Sequence, residues 1–94
     1  MKLIAIFSFS DGSTIEAHPA LCAEIESIQS GLNLNGTVLL FRSDDPEATT
    51  AYRASFLKHL GSDDEILIFR IERGAWRLSP ERDKWLRDFL SSDQ

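Results

Sequence analysis

The dipeptide Asn35-Gly36 constrains this chain more than any other local feature, because it stands between the apolar runs Leu32-Asn33-Leu34 and Thr37-Val38-Leu39-Leu40-Phe41. A two-residue hairpin loop of type I′ needs positive φ at both central positions, and Asn followed by Gly meets that need at low steric cost. The pair predicts a short strand near 31–34 and a longer one at 37–43, adjacent and antiparallel. The longer strand lacks clean alternation and is expected to be central.

A helix and a strand are predicted on each side of this hairpin. Residues 2–9 (KLIAIFSF) read as a strand whose two alternating sets, Leu3/Ala5/Phe7/Phe9 and Ile4/Ile6, are both apolar. Such a strand is buried on both faces. Ser10-Asp11-Gly12-Ser13 ends it with turn chemistry. Residues about 18–30 predict a helix with Leu21, Ile25, Ile28 and Leu32 on one stripe, Pro19 in its first turn and Gly31 as its stop. Beyond the hairpin, Asp45 is expected to cap a second helix, with Pro46 in its first turn and Glu47 at its positive end. Ala48, Tyr52, Phe56 and Leu60 form its apolar face, and Gly61 closes it. Residues 65–72 (EILIFRIE) predict the fourth strand. Arg73-Gly74 bends the chain, and Ala75-Trp76-Arg77-Leu78 is expected to add a short strand. Ser79-Pro80-Glu81 starts a last helix with Trp85, Leu86, Phe89 and Leu90 on one face, and Ser91 to Gln94 should fray.

The predicted fold is α+β: a ferredoxin-like β-α-β-β-α-β core with an antiparallel sheet, then a short C-terminal strand and helix. One domain is expected over 1–94, with the core at about 2–72 and the extension at about 74–91. Two helices on one sheet face leave the other face open, although its residues are apolar. A homodimer that covers this face, or joins through the C-terminal segment, is the expected arrangement. The alternative is that the last helix covers the face within one chain.

Composition narrows the function. At 43% hydrophobic and 27% charged residues the chain is expected to fold rather than stay disordered. No apolar run approaches the roughly 20 residues that span a membrane, so no membrane role and a cytoplasmic location are expected. Cys22 is the only cysteine, which excludes an intrachain disulfide and a cysteine-based zinc site. Its helical position points to packing, and Glu24 and Glu26 nearby would raise its pKa. The net charge of −5 disfavours nonspecific nucleic-acid binding. From residue 66 onward six basic residues face five acidic ones, against four and ten before it, so a local basic patch is confined to the end of the chain.

The chain resembles the small proteins related to the second CRISPR-associated protein, the integrase adaptor, and is most similar to standalone SinR-like members. The similarity spans most of the chain. It is carried by the opening MKLIAI strand, the hairpin before Thr37-Val38-Leu39-Leu40-Phe41, and Asp63-Asp64-Glu65-Ile66-Leu67-Ile68. Gly74-Ala75-Trp76 followed by Trp85-Leu86 adds to it. The resemblance implies a ferredoxin-like homodimer. It also implies an aspartate at the end of the first strand that holds a divalent metal with its dimer mate. Asp11 is the matching candidate, placed in Phe9-Ser10-Asp11-Gly12 toward the turn.

Asp11 is therefore the candidate catalytic and metal residue: two copies across a dimer axis would hold Mg²⁺, which polarises a phosphate and activates water. The competing reading of Asp11 is a turn residue. Arg73, Trp76 and Arg77 are the candidate nucleic-acid-binding residues, because an aromatic that stacks on bases beside cations is how single strands are held. The competing reading is that Trp76 packs the tail onto the sheet. His18 and His59 share no metal-ligand spacing, and Ser10, His18 and Asp11 make a triad only on paper. The favoured function is a small non-catalytic homodimeric interaction or regulatory protein with an unidentified protein partner and no cofactor. The resemblance sets it in defence, mobile-element or toxin–antitoxin biology. The alternatives are a metal-dependent ribonuclease or deoxyribonuclease using Asp11, and nucleic-acid binding without cleavage.

Overall fold

The hairpin forms where its dipeptide predicts, with a three-residue loop in place of the expected two: Leu34 pairs with Val38, which leaves Asn35 to Thr37 between the strands. In the computed structural model, which describes residues 1–28 and 31–91, Asn35 has φ 56° and Gly36 has φ 76°. The Thr37 N–H donates to the Leu34 carbonyl across the turn at 3.3 Å. Gly36 is required for a second reason: a Cβ there would lie 2.6 Å from Thr14 Cβ. That close approach lets the Ile15 N–H donate to the Gly36 carbonyl at 2.7 Å. The hairpin tip is thereby pinned to the segment that follows the first strand.

Strands β1 (Lys2–Ser8), β2 (Leu32–Leu34), β3 (Val38–Arg42) and β4 (Glu65–Ile71) make one sheet in the order β2-β3-β1-β4, antiparallel throughout. A short 3₁₀ turn, Ile15–Ala17, precedes helix α1 (Pro19–Glu26). Helices α2 (Ala48–Leu57) and α3 (Pro80–Ser91) complete the elements. Among the described residues no helix is long and apolar enough to cross a membrane.

The central position of β1 follows from its two apolar sets. Leu3, Ala5 and Phe7 point to the face carrying α1 and α2, where they join Leu21, Ile25, Leu39, Phe41, Ala48 and Phe56 in one buried cluster. Phe56 meets Phe7 and Phe41 edge-on, with ring centroids 5.6 and 6.3 Å apart. This is the favoured geometry for aromatic rings.

Ile4 points the other way, into a second cluster built on Leu40, Leu86 and Phe89. The amphipathic stripe of α3 therefore lies on the second sheet face and covers part of it within one chain. Cations from the sheet fasten the end of that helix. Lys2 Nζ donates to the Leu90 carbonyl at 2.8 Å, and Arg42 Nη2 donates to the Phe89 carbonyl at 3.3 Å while its guanidinium lies over the Phe89 ring. The last carbonyls of a helix lack intrahelical partners and attract cations.

Four local expectations are corrected. Residues 75–78 form no strand: Trp76 and Leu78 turn onto the second sheet face and pack with α3. Their side chains gain a hydrophobic site there that a ladder position on the outside of β4 would not offer. Helix α1 ends at Glu26 rather than near 30, because the Ser27 hydroxyl and N–H both return to the Glu24 carbonyl. Residues 29–30, where that helix was expected to run on, lie outside the described residues, as do 92–94, expected to fray. Leu32 belongs to β2 and the second cluster, not to the α1 stripe. Asp45 does not cap α2; its Oδ1 accepts from the Glu47 N–H at 2.9 Å in a turn before the helix, and Glu47 occupies the cap position.

The two clusters should each be needed for stability. Phe89→Ala, on the α3 side, is expected to cost about 3–5 kcal/mol in urea unfolding, as is Phe56→Ala on the α1–α2 side. A Phe89→Ala loss near zero would show α3 detached from the sheet in solution.

Candidate functional site

Asp11 lies three residues past the end of β1 and is exposed. Its Oδ1 accepts from the Ser13 N–H at 2.9 Å, closing a turn that Gly12 completes with φ 74°. Hydrogen bonds from Ser13 hold the Asp11 carboxyl below the ordinary aspartate range. The residue is thus a turn-forming anion that still faces solvent.

The turn next to it holds a pairing that spacing alone did not reveal. His18 Nε2 lies 2.8 Å from Ser13 Oγ, and the imidazole stacks on Phe9 with centroids 4.3 Å apart. Ser13, not Ser10, is therefore the hydroxyl beside His18, and the paper triad of Ser10, His18 and Asp11 does not form. Ser10 instead donates its backbone N–H to Asp64 Oδ1 at 2.9 Å, while Asp64 Oδ2 accepts from the Gly61 N–H at 2.7 Å. Asp64 thereby ties the loop before β4 to the end of β1. These two amide bonds, from Ser10 first and Gly61 second, push the Asp64 pKa down. His18 makes no ion pair among the described residues.

A second polar group lies between α1 and α2. Glu24 accepts from Ser55 Oγ at 2.7 Å and bonds His59 Nε2 at 2.9 Å, clamping the helices together. His59, just past the end of α2, takes its partner from α1. The nearest sequence signal is the Ser55–His59 separation of four, which does not indicate the third member. Cys22 packs against the main cluster. Burial and, after it, the neighbouring Glu26 carboxylate push its thiol pKa up, which suits a packing role.

The candidate nucleic-acid residues are only partly gathered. Arg73 and Trp76 line an open hollow of about 440 Å³ between the segment after β4 and the end of α3, together with Glu72, Arg87 and Leu90. Arg77 is exposed and does not line it. Trp76 is held in place: its Nε1–H donates to Asp83 Oδ1 at 2.9 Å, and Arg87 lies over its ring at 5.7 Å. Arg87 Nε also donates to Asp83 Oδ2 at 2.8 Å. Hydrogen bonds from Arg87, then Trp76, lower the Asp83 pKa, and Asp83 in turn raises that of Arg87. Trp76 thus packs the tail onto α3, and the cation nearest its ring is already paired.

Among the described residues no group of three or more His, Cys, Asp or Glu side chains is arranged to hold a metal ion. Comparison with protein-family models, curated proteins and solved structures finds no match to this chain.

The Asp64 bonds carry a pH signature. A carboxylate with a depressed folded-state pKa stabilises the fold above its unfolded value, and that contribution fades as pH falls through the lowered folded value. The loss of stability between about pH 4 and pH 2 should therefore be shallower in Asp64→Asn than in the unchanged chain. Carboxyl NMR titration should place the Asp64 midpoint below the ordinary 3.8; a midpoint at or above it would mean that the amide bonds do not persist in solution.

Proposed function

We propose that this chain is a non-catalytic interaction protein on a ferredoxin-like β-α-β-β-α-β core, working as a homodimer that regulates or engages another protein. The observation that carries this reading is a pair of large apolar side chains left in water: Leu67 is 53% and Phe69 52% exposed, neighbours on the same face of β4. Ile4 and Ile6 stand opposite them in register. Helix α3 and the segment before it pack with residues of β2 and β3, with Ile4 of β1 and with Ile71 at the end of β4, and leave Leu67 and Phe69 uncovered. Clustered exposed apolar groups mark contact surfaces. The defence, mobile-element or toxin–antitoxin setting rests on the resemblance to the adaptor-related proteins alone.

Nucleic-acid binding without cleavage is the second reading, favoured by the shared hollow of Arg73 and Trp76. Arg73 would meet phosphate there, while the Trp76 edge would offer apolar surface. The nuclease reading assigns Asp11 to Mg²⁺. Its support is an exposed carboxylate held in its anionic form. Its cost is the Oδ1 lone pair already given to Ser13.

Two measurements test the assignment. Sedimentation velocity over a concentration series should show a dimer. Incubation with single-stranded RNA and duplex DNA in Mg²⁺ or Mn²⁺ should give no turnover that disappears in Asp11→Ala. Metal-dependent cleavage lost in that variant would move the assignment to a nuclease.

A further inference from the structure

The two edges of the sheet are unequal. Strand β2 has three residues and β4 has seven. β4 pairs with β1 on one side and with no strand on the other among the described residues. It contains no proline or bulge, and its outer edge offers a row of backbone N–H and C=O groups. Edges of this kind are usually blunted; one that is long and apolar is a template for another strand.

Charge says which strand fits. The start of β4 is acidic, with Asp63, Asp64 and Glu65, while its end carries Arg70 and Arg73 against Glu72. Asp64 is committed to Ser10 and Gly61, which leaves two exposed anions at that end, Asp63 in the loop before the strand and Glu65 at its first position. Arg73, also exposed, forms no ion pair among the described residues. An antiparallel partner must present cations where β4 presents Glu65 and anions where it presents Arg73. A second copy does so by two-fold symmetry, because each end of β4 meets the other end of its mate.

We infer that two copies join through antiparallel β4–β4 pairing, with the two-fold axis at Phe69, into one continuous eight-stranded sheet. In this register Phe69 meets the partner's Phe69, Leu67 meets the partner's Ile71, and Glu65 faces the partner's Arg73. The exposed apolar pair is thereby placed at the centre of the contact and the charges at its rim. A hollow of about 180 Å³ beside Glu65, Ile6 and Leu67 leaves room for the partner's Arg73 to enter. Cross-strand aromatic and opposite-charge pairs are the stabilising units of such a ladder.

This inference rests on the homodimer reading, and the test separates the two. Glu65→Arg and Arg73→Glu alter exposed side chains, so circular dichroism should stay unchanged. Each alone sets like charges opposite each other twice per dimer and should raise the dissociation constant about tenfold, read by sedimentation equilibrium. The double variant Glu65→Arg/Arg73→Glu should restore it. As a second readout, Phe69→Cys in a Cys22→Ser background should form an interchain disulfide on oxidation, since directly opposed residues of an antiparallel pair have Cα atoms about 4.5–5.5 Å apart. A dimer insensitive to both charge reversals and unlinked at position 69 would overturn the β4 interface while leaving the homodimer standing. A chain that stays monomeric throughout the series would overturn both.

Discussion

Everything in this molecule depends on β1 being apolar on both faces. A central strand with Leu3, Ala5 and Phe7 on one side and Ile4 on the other cannot be satisfied by a single covering layer. Helices α1 and α2 supply one layer, built around Phe56 and its edge-on contacts with Phe7 and Phe41. Helix α3 supplies the other, seated through Leu86 and Phe89 and held at its end by Lys2 and Arg42. A chain this small has little core to spare, so each layer counts for a large part of its stability.

The acidic character of the chain is put to structural use. Asp11 closes the turn after β1, Asp45 the turn before α2, and Asp64 bridges Ser10 and Gly61. In each case a carboxylate takes up backbone N–H groups that the regular elements leave without partners. Glu24 joins α1 to α2 through Ser55 and His59. Asp83 orders the tail by holding Trp76 and Arg87 at once. The carboxylates that most suggest chemistry in a one-dimensional reading are thus largely occupied in holding loops. The unbalanced feature lies at the sheet edge, where α3 leaves Leu67 and Phe69 uncovered.

The sequence by itself determined the local elements whose signals are chemical and short-range. Asn35-Gly36 required the hairpin because few other pairs take positive φ twice. Pro19 started α1, and the stripe of Ala48, Tyr52 and Phe56 faced α2 toward the sheet, while Leu60 reaches the same cluster from the turn after that helix ends at Leu57. The stripe of Trp85, Leu86, Phe89 and Leu90 likewise marked the buried side of α3. Apolar alternation identified β1 as buried on both faces, but it could not say which layer covers which face. Tertiary structure decided that α3 returns over the sheet, that 75–78 spend their apolar side chains on that helix instead of a ladder, and that His18 meets Ser13 while His59 meets Glu24. It also decided that Arg73 and Trp76 share a hollow from which Arg77 is absent. The reason is physical: turn and cap preferences are set by a residue and its immediate neighbours, whereas a partner tens of positions away is chosen only when the whole sheet fixes which side chains can reach each other.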